Sequence, residues 1–443
     1  MEQPDGSVIE WEWVRGPRVE APVSPGAGGV GAGGDRPRGH TFSVPLICKA
    51  LELVLWANNS IRGAARSLAI VCQEATEACP SLWSIRNWVF RLGLFEVQRP
   101  KPWARDWALI LDHTIQVGAH KALLVVGVQL EEWDSHGCEL GHQDVAVLAL
   151  EICQQSNGQK VLQTLEQIRE QIGGPRLLVS DAGSDLKKAA ESFCERHDHT
   201  DWIPDVSHRM ARLLEAELKA DPKWESFLSQ AALCRSRCQQ TPLSPLMPPA
   251  QRGKARWMNY LPLVEWGLKM LHNPIPPQAE PREYRRLFGW LDDYLDDLSQ
   301  FCLLMNLGQE TGRILKQSGI HSQSLQDCRA MLEELALGAR LHRYASGIHQ
   351  YLDEVGSKLR PGERLLASSD IVESLFGKYK FMVDRSPQQA ITRLVLSIGA
   401  LVSKRTPELV RQALETVKME AVEEWFRKQV GPDAQSIRQA VLG

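Results

Sequence analysis

The chain has 443 residues, 43% of them apolar, so it can bury a large core and is long enough for roughly two to four domains. Its formal net charge of −3 excludes a uniformly basic surface but leaves room for local basic faces. Its ten cysteines lack regular pairing, which indicates reduced thiols, and its longest apolar runs fall short of the roughly 18 residues that a membrane span needs. We therefore expect a soluble protein of the cell interior.

Two segments precede the first predicted strand. Residues 1–43 are rich in glycine and proline, which predicts a flexible tail. Residues 44–105 show the apolar spacing of three short helices and carry eight lysines and arginines against four glutamates. This small basic unit resembles a helix-turn-helix DNA-binding domain, although an ordinary helical subdomain has the same pattern. Its predicted recognition helix displays Arg86, Asn87 and Arg91.

A succession of short strands follows. They are predicted at 107–112, 121–130, 144–152, 177–179 and 202–203. Helices are predicted after the third, fourth and fifth of them, at 157–172, 184–196 and 206–220. The first three strands are joined by short loops and predict an antiparallel meander. The order βββαβαβα is that of the ribonuclease H fold, so we expect an α/β ribonuclease H-like domain with a mixed five-stranded sheet.

Two aspartates, Asp112 and Asp181, stand where the first and fourth strands end. In the ribonuclease H fold these two strands are neighbours, so we expect the carboxylates to lie close together although they are 69 positions apart. Two carboxylates in a partly dry cleft repel each other, and a divalent cation relieves that repulsion. Magnesium favours carboxylate oxygens and is the predicted ion. The alternative for Asp181 is that it caps the helix beginning near Ser184.

Three segments carry a resemblance to the DDE transposases: LILDHT at 109–114, LLVSDAGSD at 177–185 and VESLFGKYK at 372–380. Enzymes of this class use two aspartates and one glutamate on a ribonuclease H-like fold. The resemblance implies that Asp112, Asp181 and Glu373 are the catalytic and metal-binding acids. It also implies two Mg²⁺ ions, with Mn²⁺ possible, that serve cleavage at transposon ends and strand transfer into target DNA. Asp370 and Glu373 also have the spacing of a capping box, which is the structural alternative.

The 192 positions between Asp181 and Glu373 exceed what a plain ribonuclease H domain needs. Residues 221–366 are predicted to be a helical insertion, and residues 367–443 to complete the domain. Such an insertion is similar to that of the hAT and Mutator-like transposases and their bacterial insertion-sequence relatives. Those families carry an Asp- or Cys-x-x-His motif, which Asp205 and His208 match. The resemblance implies that this pair supports the active site or contacts scissile DNA, whereas the alternative is an ordinary histidine at a helix start.

Basic residues beside an aromatic one predict DNA contacts in the insertion. Arg252, Lys254 and Arg256 precede Trp257, and this combines cations that attract phosphates with a surface for stacking bases. In hAT-like transposases an insertion-domain tryptophan stacks on DNA near the cleavage point, and the resemblance implies that role for Trp257. The alternative is that Trp257 belongs to a helical core.

Two lysines follow the predicted catalytic glutamate. Lys378 and Lys380 lie in a segment where basic residues outnumber acidic ones, and they predict contacts with DNA phosphates. A solvated basic helix face is equally compatible with this pattern.

The resemblance implies transposon-end DNA and target DNA as partners, and a homodimer or larger homo-oligomer, because two ends must be held together. It implies a location with the DNA, in the cytoplasm of a bacterium or the nucleus of a eukaryote. Two other functions remain open from the sequence. One is a catalytically silent, transposase-derived DNA-binding protein that acts through residues 44–105. The other is a ribonuclease H-like nuclease with a different substrate.

Overall fold

A computed structural model of the chain describes residues 35–71, 78–113, 120–153, 157–251, 257, 259–277, 280–333, 338–383 and 391–430. Within these ranges five strands form one mixed sheet: β1 (Trp107–His113), β2 (Lys121–Gln129), β3 (Ala146–Cys153), β4 (Leu177–Ser180) and β5 (Asp201–Pro204). Their order across the sheet is β3-β2-β1-β4-β5. Strand β2 is antiparallel to β1 and β3, whereas β1–β4 and β4–β5 are parallel. The five predicted strands, and the neighbouring position of the first and fourth, are confirmed.

Both faces of the sheet are covered. Successive side chains of a strand point to opposite faces, and in β1 both sets are apolar. Leu109 packs into a core with α5 (Gly158–Ile172) and α6 (Ser184–Arg196), whereas Ile110 packs into the larger core on the other face. The strand is therefore held rigidly up to its last residues, where Asp112 ends the apolar run.

The other described helices form three groups along the chain. The N-terminal group is α1 (Val44–Leu55), α2 (Ile61–Val71) and α3 (Leu82–Gln98), and α4 (Leu130–Ser135) links β2 to β3. The middle group is α7 (Val206–Leu218), α8 (Pro222–Cys238), α9 (Leu261–His272), α10 (Pro281–Phe288), α11 (Leu295–Ser318), α12 (Ser322–Glu333) and α13 (Ala339–Gly356). The C-terminal group is α14 (Asp370–Val383), α15 (Ser397–Val402), α16 (Pro407–Thr416) and α17 (Met419–Val430). No described helix is long and apolar enough to cross a membrane.

Helix α3, the predicted recognition helix, is largely buried. It packs against α15, α16, α17 and strand β3, and its exposed residues are Trp83 and Gln98, near the two ends of the helix. Gly93 of α3 lies against the backbone carbonyl of Leu396, the residue before α15, so α3 and the start of α15 cross at van der Waals distance. Because α3 is apolar around most of its circumference, one hydrophobic core extends across the boundary that the sequence predicts at residue 105.

The middle group of helices has an aromatic core of its own. Trp224 is fully buried, and its ring packs edge-on against Tyr260 at 4.9 Å and Phe301 at 5.0 Å between ring centroids. Helix α11 runs through this group and packs against α7 and α9. The predicted all-helical character of the segment between the fifth strand and α14 agrees with the described residues.

The chain returns from these helices to the sheet through a buried arginine. Arg176, at 2% exposure, precedes β4 and donates hydrogen bonds to both carboxylate oxygens of Glu363, at 2.6 and 2.7 Å. It also donates to Asp201 at 2.6 Å and to the carbonyl of Lys358 at 2.7 Å. A guanidinium paired on several sides fixes its partners firmly, because leaving the buried charge unpaired is costly. The segment before α14 is thereby tied to the starts of β4 and β5.

We predict that Gly93→Ala destabilises the protein, because the added methyl group meets the backbone of α15 rather than a flexible side chain. The expected loss in free energy of unfolding is about 1–3 kcal/mol, measured by urea denaturation. Gly377→Ala is the matched control, since nothing lies within 4 Å of its added methyl group. The control should be neutral or slightly stabilising, as expected for glycine to alanine in a helix. Equal stability of the two variants would contradict the close crossing.

A second prediction concerns pH. Burial alone would raise the pKa of Glu363, but hydrogen bonds from Arg176 hold it below the usual value, so the ionised carboxylate stabilises the fold. Such a group contributes stability above the pKa of the unfolded chain, and the contribution is lost as pH falls through the lower pKa of the folded state. Glu363→Gln should therefore cost about 1–3 kcal/mol at pH 7, and the difference from wild type should shrink toward pH 3. A difference that is constant across this range would contradict the ion pair.

Candidate active site

Asp112 and Asp181 lie side by side at one edge of the sheet. Leu111 of β1 is paired with Ser180 of β4 in parallel register, and each aspartate is the next residue along its strand direction. Neighbouring strands are about 4.8 Å apart, so the two side chains start from adjacent positions. Asp112 Oδ1 accepts a hydrogen bond from the backbone N–H of His113 at 2.6 Å. Asp181 Oδ1 accepts one from the N–H of Gly183 at 2.7 Å.

The electrostatics of this edge place the third acid at the same site. Burial raises the pKa of Asp112 to about 7, with further contributions from the negative charges of Asp181 and Glu373. Glu373 lies in the first turn of α14, which packs against β1. Burial also raises the pKa of Glu373. Asp112 is therefore near both Asp181 and Glu373, which come from distant parts of the chain.

Within the described ranges, no set of three or more histidine, cysteine, aspartate or glutamate side chains is close enough to form a ready metal site. The donor chemistry nevertheless fits magnesium, which is commonly bound through one or two carboxylates while it keeps several waters. Asp112 and Asp181 supply such a pair at adjacent strand ends. Glu373, with 45% of its side chain exposed, is reachable from the same side.

A buried carboxylate, Asp205, connects the two helices that border this edge. Its Oδ1 accepts hydrogen bonds from the backbone N–H of His208 at 2.8 Å and pairs with His208 Nδ1 at 3.1 Å. Its Oδ2 accepts from the N–H of Ser369 at 2.7 Å and from the Ser369 hydroxyl at 3.0 Å. Asp205 and Ser369 are each 1% exposed. The start of α7 and the start of α14 are thus joined through one side chain.

The Asp205–His208 pair places a positive charge beside Glu373. A hydrogen bond to Asp205 raises the pKa of His208 to about 9, despite burial, so the imidazole is protonated at neutral pH. Burial raises the pKa of Asp205, but the hydrogen bonds from His208 and Ser369 outweigh it and lower the pKa to about 2. The other ring nitrogen, His208 Nε2, lies 3.7 Å from Glu373 Oε1. A fixed cation therefore stands between Asp205 and Glu373.

The backbone beside Asp181 is strained. Ala182 has φ of 58°, in the left-handed region that residues with a Cβ rarely adopt. Arg212 of α7 donates a hydrogen bond to the carbonyl of Ala182 at 3.0 Å, and the Asp181–Gly183 hydrogen bond closes the turn. Strain of this kind persists where the surroundings enforce it, and it is frequent at functional sites.

The predicted DNA-binding residues are more dispersed. The Arg86 guanidinium stacks over Trp83, 4.1 Å from the ring centroid, and Asn87 lies one residue further along α3. Arg91 donates to the carbonyls of Leu414 and Val417, and so serves the contact of α3 with the end of α16.

The remaining predicted contacts lie near α14 or in the insertion. Lys378 and Lys380 are on α14, and Lys380 lies 5.9 Å from the ring centroid of Phe376. Trp257 stacks on Trp224 at 6.3 Å and is half-buried, as its core alternative requires. Arg252, Lys254 and Arg256 lie outside the described residues.

A cleft opens beside His208. It has a volume of about 350 Å³ and lies between α7, α11 and α13, with Trp257 on its wall. Ser207, the neighbour of His208, and Lys316 of α11 also line it. Lys316 pairs with Asp370 at 2.6 Å, one turn before Glu373. The cleft is therefore continuous with the surroundings of the acidic edge.

The sequence interpretation missed Ser369 and the Lys316–Asp370 ion pair. The segment Ser368–Ser369–Asp370 does have the composition of a helix start, which was the available signal. Its partner Asp205 is 164 positions away, and no local pattern encodes that contact.

No protein-family model matches the chain, and no curated protein sequence matches it. Among solved structures, the chain is similar to the Drosophila P element transposase strand transfer complex, with 11% sequence identity and a TM-score of 0.46. That match covers 84% of this chain and 94% of the other. A likeness at this level assigns no function, so the proposal below rests on the chain's own geometry.

We predict that Ser369→Ala lowers the free energy of unfolding by about 1–3 kcal/mol, because it removes one hydrogen bond to a buried, charged carboxylate. Ser346→Ala is the control, since the Ser346 hydroxyl is exposed and bonds only to a carbonyl of its own helix among the described residues. Urea denaturation in EDTA measures both variants without metal. A loss no greater than that of the control would show that the hydroxyl does not hold the two helices together.

Proposed function

We propose that the chain is a DDE-type transposase with a ribonuclease H-like catalytic domain, which cleaves DNA at transposon ends and joins them to target DNA. The observation that carries the proposal is the convergence of Asp112, Asp181 and Glu373 on one sheet edge from distant parts of the chain. The strand order β3-β2-β1-β4-β5, with β1 and β4 parallel, supports the ribonuclease H-like assignment. Gathering repelling acids costs stability, so their convergence favours a catalytic role over a silent DNA-binding one.

Asp112 and Asp181 would share one Mg²⁺ or Mn²⁺ ion, and Glu373 would contribute to a second. When bound, such ions polarise the attacking water and stabilise the leaving 3′ oxygen in an in-line displacement. The chain's own part is to hold the two strand-end carboxylates adjacent and partly dry. Protonated His208 keeps positive charge beside Glu373, and Asp205 with Ser369 fixes the start of the helix that carries it.

The substrate in this proposal is a DNA strand that passes the acidic edge. Lys378 and Lys380 on α14 would contact its phosphates, and Trp257 on the cleft wall beside α7 offers an aromatic surface to a base. In this proposal Arg86, Asn87 and Arg91 of α3, and Arg252, Lys254 and Arg256 of the insertion, would add contacts with DNA. Joining two ends at once requires a homodimer or larger homo-oligomer.

The deciding experiment measures Mg²⁺-dependent cleavage of the genomic DNA that flanks the gene for this protein. Asp181→Asn and Glu373→Gln should each reduce cleavage by about 10²–10³-fold or more, because each removes a carboxylate that the metal ions need. Asp370→Asn is the matched control, an exposed acid in the same helix turn as Glu373, and it should keep most of the activity. Mn²⁺ binding, followed by electron paramagnetic resonance, should weaken in Asp181→Asn and not in Asp370→Asn.

The outcomes separate the candidate functions. Cleavage undiminished by Asp181→Asn would contradict the proposal. Cleavage without joined products would contradict strand transfer and support a ribonuclease H-like nuclease with a different substrate. Sequence-selective DNA binding without metal-dependent cleavage would support a catalytically silent DNA-binding protein.

A further inference from the structure

A second group of side chains lies near Ser374, the residue after Glu373. The short 3₁₀ turn His142–Asp144, before β3, reaches α14 through a hydrogen bond of 2.9 Å between His142 Nε2 and the Ser374 hydroxyl. Ser374 is the residue after Glu373 and is exposed. Lys378 follows one helical turn later on the same face, where side chains four residues apart are neighbours. His142 and Lys378 therefore flank Ser374.

A third basic residue approaches from α15. This helix packs against both the 3₁₀ turn and α14, and Arg405 follows it. Arg405 has φ of 50°, a left-handed conformation that is unusual for a long side chain, and it donates a hydrogen bond to the carbonyl of Ser403 at 3.1 Å. The guanidinium is half-buried. A residue with a Cβ keeps this strained backbone conformation only where its surroundings enforce it, so the fold fixes the position of the Arg405 side chain.

The positive charges of Lys378 and Arg405 have few acidic partners among the described residues. Among the described residues, Lys378 has no hydrogen-bond or ion-pair partner, and the acid near Arg405 is Glu52 of α1. Burial lowers the pKa of Lys378, and the charge of Arg405 lowers it further. Burial and both cations lower the pKa of His142 to about 4, so its ring is a neutral hydrogen-bonding group. Two half-buried cations held together cost stability that an anion would recover.

We propose that His142, Lys378 and Arg405 form a binding site for one phosphodiester group of the DNA strand that passes Glu373. A phosphate accepts hydrogen bonds from an ammonium and a guanidinium at once, which suits the two cations. The site rests on the proposed function for its ligand, and it lies beside Ser374, the residue after Glu373. A phosphate bound there would fix the path of the strand next to the acid.

The test separates a ligand site from a structural role, because the two predict opposite effects on stability. Lys378→Gln removes a cation that lacks a partner, so the free energy of unfolding should stay the same or rise, while DNA binding weakens. Binding is measured by fluorescence anisotropy of a labelled duplex of flanking genomic DNA, in EDTA, over a range of KCl concentrations. The slope of log K against log salt should fall by about 1 in magnitude, as expected for one lost phosphate contact.

Three further variants test whether the change in salt slope comes from a phosphate contact at this site. Lys378→Arg should keep the salt slope, and the double variant Lys378→Gln with Arg405→Gln should lower it further. Lys188→Gln is the control, since Lys188 is an exposed lysine of α6, on the opposite face of the sheet, and it should leave the slope unchanged. An unchanged slope in Lys378→Gln, or a loss of stability without a loss of DNA binding, would overturn the proposal.

A second measurement uses inorganic phosphate at constant ionic strength. Phosphate should raise the melting temperature of the wild type more than that of Lys378→Gln. A phosphate effect that disappears in the variant while DNA affinity is unchanged would mean a site for free phosphate and overturn the DNA assignment. The Asp181→Asn variant should retain the full salt slope. Loss of cleavage activity and loss of this phosphate contact are therefore distinguishable.

Discussion

The carboxylate of Asp205 is the interaction on which the candidate site depends. It is buried and ionised, and every hydrogen bond it accepts comes from one of two helix starts: His208 of α7 or Ser369 before α14. A buried charge is stable only with its partners in place, so the carboxylate enforces their relative position. The chain leaves Asp205 through seven described helices and returns after 164 positions to the same side chain. Glu373 reaches the sheet edge because of that return.

Acidic and basic side chains lie close together at the candidate site. Burial raises the pKa of Asp112 and that of Glu373, and the negative charges of Asp181 and Glu373 raise the pKa of Asp112 further. His208 supplies one fixed positive charge beside Glu373, held in place by Asp205. Near Ser374, Lys378 and Arg405 hold positive charge without a full set of partners among the described residues. Negative and positive side chains therefore lie close together here, and only some of them are paired, as His208 is with Asp205 and Glu373.

Helix α3 shows that the exposed surface of a helix depends on segments that come later in the chain. Its arginines and asparagine match a recognition helix, and the three helices α1 to α3 do form. The same helix carries apolar residues on most of its faces, and α15, α16 and β3 cover them in the folded chain. Arg91 consequently donates to backbone carbonyls near the end of α16. Which face of a helix stays exposed is decided by what packs on it, and here the contacts with the end of α16 lie 323 and 326 positions further along the chain.

The sequence by itself determined the sheet and its two aspartates. Short apolar runs and turn residues are local patterns. They were enough to predict the five strands and to place Asp112 and Asp181 at the ends of two apolar runs. The resemblance named Glu373 as the third acid, but the tertiary structure alone decided the Ser369 hydrogen bonds that fix its helix and the grouping of His142, Lys378 and Arg405. Each of these joins side chains from distant segments, and the free energy that selects them comes from burial and charge pairing in the folded state. No spacing within a single segment records such contacts.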